Sequence, residues 1–226
     1  MRYLKAAISF FKKTFAMIIG YIFYNPKYLK GKYFSKRSYS DGWRWVMETV
    51  FMQKIVGINR KIPFPVSFRA TVCNWENIEF DSENINIFQK AGNYYQASKE
   101  GKIIFGKNCY VASNVAIITA NHNFDDLSQH YPAEDVKIGE NSWIGFGSVI
   151  LPGVELGEHT IVGANSVVTK SFTEGNCVIA GNPAKKICTV DELREKNKKY
   201  CLNTWNMSFE EKKKYLLANE DKFKKV

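Results

Sequence analysis

Residues 136–171 read VKIGENSWIGFGSVILPGVELGEHTIVGANSVVTKS, and a six-residue repeat runs through them. Each repeat starts with an aliphatic residue. A small or β-branched residue stands four positions after each of the first five of these starts, and glycine directly follows four of the six starts. A period of six is neither helical nor the alternation of a simple strand. It is typical of a parallel β-helix, in which each six residues form one short strand and one turn. The aliphatic repeat starts, here called leads, are Ile138, Ile144, Ile150, Leu156, Val162 and Val168.

The repeat predicts a mainly β fold with a stacked core. Each lead is expected to point inward and to contact the leads of the coils above and below it. The small residue is expected at the crowded corner, and glycine is expected to relax the backbone where the chain bends. The same register holds upstream at Phe105, Val111 and Ile117, with Cys109 and Val115 at corners.

Three segments of the sequence resemble a known family. WIGFGSVILPGVELG, IVGANSVVTKS and AGNPAKKI are similar to the hexapeptide-repeat acyltransferases, in the branch of maltose, galactoside and surface-polysaccharide O-acetyltransferases. The resemblance covers about residues 100–188 and fades on both sides. It implies that the parallel β-helix is left-handed.

Three regions are predicted along the 226 residues. Residues 1–60 are expected to be a helical segment rich in basic and aromatic side chains. Residues 61–188 are expected to form the left-handed β-helix acyltransferase domain, and residues 189–226 a C-terminal helical extension. The repeat has no lead between 119 and 135, so we predict an excursion loop there, and such insertions commonly carry the site of a repeat protein.

Helices are predicted outside the repeat. One is expected over residues 1–24 and a second over 43–56. Two more are expected at the C-terminus, because Thr189 and Ser208 each begin a capping sequence with an acidic residue three positions later. They would reach about Tyr200 and Phe223.

Charge is distributed unevenly around a net value of +10. Residues 1–40 hold nine Lys or Arg and no acidic residue, whereas residues 41–184 hold eleven basic and fifteen acidic residues. The repeat body is therefore not expected to bind nucleic acid. The apolar run Thr14–Tyr24 is eleven residues long, which predicts a segment too short to span a bilayer. Residues 1–24 are expected either to pack on the rest of the protein or to contact a membrane peripherally, with the protein in the cytoplasm or at the inner face of the membrane.

The five cysteines share no CxxC spacing, so neither a zinc site nor a disulfide framework is expected, and a reducing compartment is favoured.

One of the three histidines stands where the repeat is interrupted. His122 follows Asn121 at the start of the excursion, and a lone histidine is more often structural than catalytic. The resemblance implies that His122 is the general base and that the backbone amide of Phe146 donates to the oxyanion. Asn121, Asp125 and Asp126 are candidates for binding the acceptor or orienting the base, and equally for turn formation. His159 falls in a coil turn, and His130 has no recognisable context.

The resemblance further implies acetyl-CoA as co-substrate, with no metal. It places the pantetheine arm along five residues and the adenine end at one, with two lysines beyond. The family has an arginine where this chain has Cys188, which leaves Lys186 as a substitute; the alternative for both lysines is a solvated surface. These positions are Trp143, Gly145, Ala164 and Thr169–Lys170 for the arm, Pro183 for the adenine, and Lys185 and Lys186 beyond it.

The function predicted on this basis is transfer of an acetyl group from acetyl-CoA to a sugar hydroxyl, in capsule, lipopolysaccharide or other glycan assembly. Three alternatives stay open. They are acetylation of an antibiotic hydroxyl, N-acetylation of an amino sugar, and a β-helix scaffold without catalysis. The resemblance also implies a homotrimer with its sites between subunits.

Overall fold

The computed structural model describes residues 2–197 and, beyond them, residues 210, 214 and 218. The helix predicted from Ser208 to Phe223 lies outside these described residues, apart from those three positions. The chain divides into two compact units, residues 1–190 and residues 191–226. Within the second unit, Arg194 Nη1 lies 2.9 Å from Asp191 Oδ1.

Three sheets, here called faces A, B and C, form the repeat body of the first unit. Within each face the neighbouring strands run parallel, and the single antiparallel pair among the described strands is β13 with β14 on face C. Face A contains β1 (Thr71–Cys73), β3 (Tyr94–Gln96), β6 (Ala116–Ile118), β9 (Val149–Ile150) and β12 (Val167–Val168). Face B contains β2 (Ile78–Glu79), β4 (Ile103–Phe105), β7 (Val136–Ile138) and β10 (Glu155–Leu156). Face C contains β5 (Tyr110–Val111), β8 (Trp143–Ile144), β11 (Ile161–Val162), β13 (Cys177–Gly181) and β14 (Ala184–Thr189).

From β3 to β12 the chain visits faces A, B and C in rotation, so each set of three strands stacks on the previous one. The predicted parallel sheets are thereby confirmed, and with the N-terminal helices the class is α/β. The left-handed sense of the coil stays a prediction. The first coil is irregular, because a 3-10 segment, Ser82–Gln89, stands where a face C strand would be.

The repeat leads form the core. All six are buried, with at most 2% of the residue exposed at Ile138. The corner hydroxyl residues Ser148, Thr160 and Ser166 are fully buried as well. Their hydroxyls donate to carbonyl groups of the turns, as in Ser148 Oγ to Gly163 O at 2.8 Å and Thr160 Oγ1 to Gly157 O at 2.7 Å. Burial of these polar groups costs little because each has a partner.

The glycines after the leads have another role than the predicted one. None of Gly139, Gly145, Gly157 and Gly163 has a positive φ. At Gly139 an added Cβ would lie 2.4 Å from the backbone carbon of Gly157, on the adjacent coil. Gly139, Gly145 and Gly157 therefore permit close stacking of the coil backbones, and bending is left to the position three after the lead in the regular coils. The residues there have φ between +53° and +75°, a region that favours Asn and Gly, and in the regular coils they are Asn108, Asn114, Asn141, Gly147, Gly153, His159 and Asn165.

The excursion lies between β6 on face A and β7 on face B. Its two arms pair as a short antiparallel hairpin, with a bridge between His122 and His130. Backbone hydrogen bonds from Tyr131 N to Asn121 O and from Glu134 N to Thr119 O close its base. The loop is thus an ordered hairpin that projects from the corner between faces A and B.

Two helices pack together at the N-terminal end. Helix α1 (Arg2–Phe23) contacts α2 (Asp41–Val50), which continues as a π-helical turn, Phe51–Val56. The Tyr24 hydroxyl, directly after α1, lies 2.8 Å from Thr49 Oγ1 and 3.1 Å from Gln53 Oε1. Burial raises the pKa of Tyr24 to about 12. A third helix, α3 (Val190–Asn197), begins at the predicted capping sequence.

The prediction that the N-terminal apolar run is too short to span a bilayer was wrong. Because the helix continues through Lys12 and Lys13, residues Ala6–Phe23 are long and apolar enough to cross a membrane. Core helices of soluble proteins and signal sequences have the same properties, so this observation alone does not place the chain in a membrane.

Candidate active site

His122 lies on the excursion hairpin with its ring exposed. Its Nδ1 is 2.9 Å from the carbonyl oxygen of Leu127, across the loop. A carbonyl can only accept, so Nδ1 must carry the hydrogen. In the neutral ring the lone pair is then on Nε2, which is the arrangement that a general base requires.

A second histidine accompanies it. The ring centroid of His130 is 4.2 Å from that of His122, and the ring planes differ by 33°. Sequence reasoning missed this pairing, since eight residues separate the two and only the hairpin brings them together. His159, by contrast, lies in a coil turn at φ 53°.

The three polar candidates on the loop differ in the hydrogen bonds that their side chains form. Asp126 Oδ1 accepts from Ser128 N and Oγ, at 3.0 and 2.7 Å, and Oδ2 accepts from Gln129 Nε2 at 2.8 Å. These bonds hold the pKa of Asp126 below its usual range and favour a role in the turn. Asp125 and Asn121 are exposed on the same loop, so their predicted contact with an acceptor stays a prediction.

Two large apolar side chains are exposed at the tip of the hairpin. Phe124 is 81% exposed and Leu127 is 69% exposed, although Phe124 contacts the Tyr131 ring edge-on at 5.4 Å. Large apolar side chains exposed together commonly mark a surface that another molecule covers.

A second group of predicted residues lines the corner between faces C and A. Trp143 and Phe146 are each about half exposed, and the corner continues upward through Ala164 to Pro183. Within the described part of the chain, the N–H of Phe146 has no hydrogen-bond acceptor. An added Cβ on Gly145 would lie 2.6 Å from Val162 O and 2.7 Å from Ala164 N, so this glycine is needed for coil packing.

Thr169 and Lys170 lie elsewhere. They follow β12 at the corner between faces A and B, above the excursion, and not with Trp143 and Ala164. In one coil, face A extends from the corner at Phe146 to the corner at Leu151. These two corners are five residues apart, which corresponds to roughly 16 Å of extended strand. Within one chain, the corner from which the excursion leaves and the corner that holds Phe146 therefore lie at opposite edges of face A.

The predicted lysines lie on the hairpin β13–β14. Lys186 Nζ is 3.4 Å from Glu174 Oε1, so its charge is partly engaged. Lys185 is exposed beside Ala180, and Cys188 is half-buried opposite Val178. A phosphate-binding role for either lysine stays a prediction.

Two cavities flank these corners. One, of about 420 Å³, lies between α2 and face C, just below Trp143, since Tyr110 of its wall pairs with Trp143. Asn86 also lines it, is only 7% exposed, and has a buried Oδ1 without a hydrogen-bond partner. The other, of about 690 Å³, is lined by Tyr94 and by His130 of the excursion. Tyr95, next to it in sequence, is fully buried and belongs to the core.

Among the described residues, no group of three or more His, Cys, Asp or Glu side chains is placed to hold a metal ion.

Comparison with known proteins identifies the class. Residues 135–170 match the family of bacterial transferase hexapeptide proteins (six repeats). Protein CapG of Staphylococcus aureus is 39% identical over 126 residues, which are 54% of this chain and 71% of CapG. The chain therefore belongs to the hexapeptide-repeat family of transferases.

Several other relatives are covered less fully. A Dictyostelium discoideum protein, provisionally named as an acetyltransferase, is 50% identical over 88 residues, 38% of this chain and 46% of that protein. The chain spans just under half the length of this and two yeast relatives. A galactoside acetyltransferase solved in complex with coenzyme A is 26% identical, with a TM-score of 0.43, over 56% of this chain and 66% of that one.

Proposed function

We propose that the protein transfers an acetyl group from acetyl-CoA to a hydroxyl of a sugar or surface-polysaccharide precursor. The observation that carries the proposal is the His122 ring, whose Nδ1 donates to Leu127 O and whose Nε2 is free to accept a proton. Membership of the hexapeptide transferases and the acetyltransferase names of several relatives support it. The left-handed sense of the β-helix belongs to this proposal as well.

The reaction needs no enzyme nucleophile, because a thioester is already activated. Nε2 of His122 takes the proton of the acceptor hydroxyl while its oxygen attacks the thioester carbonyl carbon. The carbonyl oxygen becomes an oxyanion and accepts a hydrogen bond from the free N–H of Phe146. The carbon–sulfur bond then breaks, and the thiolate of coenzyme A takes the proton from His122.

The site is completed between subunits in this proposal. His122 and Lys170 lie at the corner of faces A and B, whereas Phe146 and Ala164 lie at the corner of faces C and A. A second copy that brings its own face C–A corner against the excursion would join the two halves. The apolar hairpin tip formed by Phe124 and Leu127 would be covered by the same contact. A heterologous contact of this kind forms a ring when its rotation closes, and we propose that it closes as a trimer.

The acyl donor would lie along the face C–A corner. Its thioester would meet the Phe146 amide beside Trp143, its arm would follow Ala164, and its adenine end would lie near Pro183. Lys185 is the exposed basic side chain beyond, and Lys186 is the alternative. Thr169 and Lys170 would contact the arm from the neighbouring subunit.

The acceptor sugar is proposed to occupy the cavity between α2 and face C. This cavity adjoins the thioester end of the donor path, and the nearly buried polar side chain of Asn86 forms part of its wall. Its wall also contains Glu48 and Arg44, which lie 3.5 Å apart, and the aromatic ring of Trp45. Carboxylate, guanidinium and aromatic groups together suit an uncharged sugar with several hydroxyls.

The activity is tested by release of thiol from acetyl-CoA in the presence of maltose, a galactoside, a polysaccharide repeat unit, chloramphenicol or an amino sugar. Sugar-dependent thiol release supports the proposal, and release with the antibiotic or amino sugar alone replaces it. Absence of release with any acceptor would leave a scaffold.

The location of the acceptor is tested by Asn86→Leu, which keeps the shape of the side chain and removes its polar groups. We expect the KM for the sugar to rise at least about tenfold, with acetyl-CoA binding unchanged. Tyr94→Ala alters the other cavity. If only that variant changes the acceptor KM, the acceptor lies beside His130 instead.

The shared site is tested by mixing two inactive variants, His122→Ala and Ala164→Trp. The second fills the donor path at an exposed corner position. In randomly mixed trimers, about a quarter of the sites would combine an intact histidine with an intact donor path, so about a quarter of the activity should return. No recovery in mixed trimers would show that each site lies within one chain.

A further inference from the structure

Helix α1 has two different apolar faces. One face packs on the protein, where Ala16 is fully buried and an added Cβ on Gly20 would lie 3.2 Å from Leu29 and 3.3 Å from Trp43. The opposite face points outward and is here called the outer stripe. Its five members are spaced three or four residues apart, and they are Ile8, Phe11, Phe15, Ile18 and Ile22.

The outer stripe is strongly exposed. Its members are between 46% exposed at Ile8 and 69% exposed at Phe11. Residues at this spacing share one side of a helix, so they form a continuous apolar strip about 21 Å long at 1.5 Å per residue. A strip of this size on a surface marks an interaction site.

The charges of the same segment indicate the partner. Residues 1–40 contain nine basic residues and no acidic one. Lys12 is exposed within α1, and Lys27, Lys30 and Lys36 are exposed in the segment that follows. An apolar helix face within a purely basic segment is complementary to an anionic bilayer, which offers a negative surface above hydrocarbon.

The packing of α1 decides between spanning and lying flat. To cross a bilayer, α1 would have to leave Leu29 and Trp43, and Tyr24 would lose its contacts with Thr49 and Gln53. When the helix lies flat in the interface, these contacts remain and only the outer stripe enters the lipid. We propose that α1 docks the folded protein on an anionic lipid surface in this orientation, independently of the proposed reaction.

Flotation of the full-length protein with lipid vesicles tests this proposal. We expect binding to vesicles of about 30% phosphatidylglycerol in phosphatidylcholine, and weaker binding to phosphatidylcholine alone or at high salt. The double variant Phe11→Ser with Phe15→Ser should lower the partition coefficient between vesicles and water by at least about tenfold. The reason is that it removes two aromatic side chains that would insert into the lipid.

A matched pair of variants controls for surface hydrophobicity. Ile22 in the outer stripe is 65% exposed and Ile187 on β14 is 63% exposed. Ile22→Ser should weaken vesicle binding, whereas Ile187→Ser should not. The proposal is overturned if the wild-type protein does not float with anionic vesicles, or if the stripe variants bind as well as wild type. It is also overturned if they change the oligomeric state, because the stripe would then be a subunit contact.

Discussion

Replacement of Gly139 by alanine is predicted to destabilise the coil stack. The added Cβ would lie 2.4 Å from Gly157 C, 2.5 Å from Glu158 N and 2.6 Å from Gly157 O. Non-bonded carbons are at their optimum near 3.5–4.0 Å, so the two coils would have to separate locally by roughly 1 Å. All three contacts are to backbone, which no rotamer change can relieve. We expect a loss of about 1–3 kcal/mol in the free energy of unfolding.

Gly163→Ala is the matched control. It follows a lead in the same way, but its added Cβ would meet the methyl group of Ala180 at 2.9 Å and the nearest backbone atom only at 3.5 Å. Its loss should be clearly smaller than that of Gly139→Ala. The assay is denaturant unfolding of both variants at one protein concentration, because subunit association shifts the midpoint. Equal losses, or no loss in either variant, would refute the conclusion that close backbone contact at Gly139 requires glycine.

Three other outcomes are expected. Cys109 is buried, and burial raises the pKa of its thiol to about 11, so alkylation at pH 8 should be much slower in the folded protein than in the unfolded chain. Because the folded pKa is raised, the contribution of Cys109 to stability is full below about pH 9 and is lost as the pH rises through the folded pKa. Phe124→Ser with Leu127→Ser should weaken trimer formation in sedimentation experiments while unfolding is unchanged, and an intact trimer would argue against contact at the hairpin tip. Hydrogen bonds from Ser128 lower the pKa of Asp126 in the folded protein. The stabilisation of the loop by Asp126 is therefore present above the ordinary aspartate pKa and is lost as the pH falls through the folded pKa. NMR of the His122 ring, compared between Asp126→Asn and wild type, would detect this loss.

The sequence was sufficient to predict the stacked strands. Six aliphatic leads at one spacing leave few alternatives, because each must be buried against its equivalents, and all six are buried. The reason for the glycines next to the leads could not be predicted correctly. A Cβ at most of these positions would collide with the backbone of a coil eighteen residues further along the chain, as between Gly139 and Gly157. The Asn and Gly residues three after most leads were the visible signal for corners with positive φ.

The site was only partly accessible from the sequence. The interruption of the repeat pointed to His122, but its hydrogen bond to Leu127 and its contact with His130 depend on how the hairpin folds. Thr169 and Trp143 were assigned to one path, and the strand order places them at different corners. The face on which a residue lies depends on its position in the stacked coils. This position could not be counted along the sequence, because the excursion interrupts the repeat.

Turnover of His122→Ala with the best sugar acceptor is the measurement that decides whether His122 is the base of an acetyl transfer. Loss of a general base predicts a kcat about 10²–10⁴-fold lower, with acetyl-CoA affinity unchanged by calorimetry. His159→Asn is the control, because its φ of 53° suits asparagine and other corners of the coil hold asparagine there. That control should retain wild-type turnover. Near-wild-type kcat in His122→Ala would contradict the account.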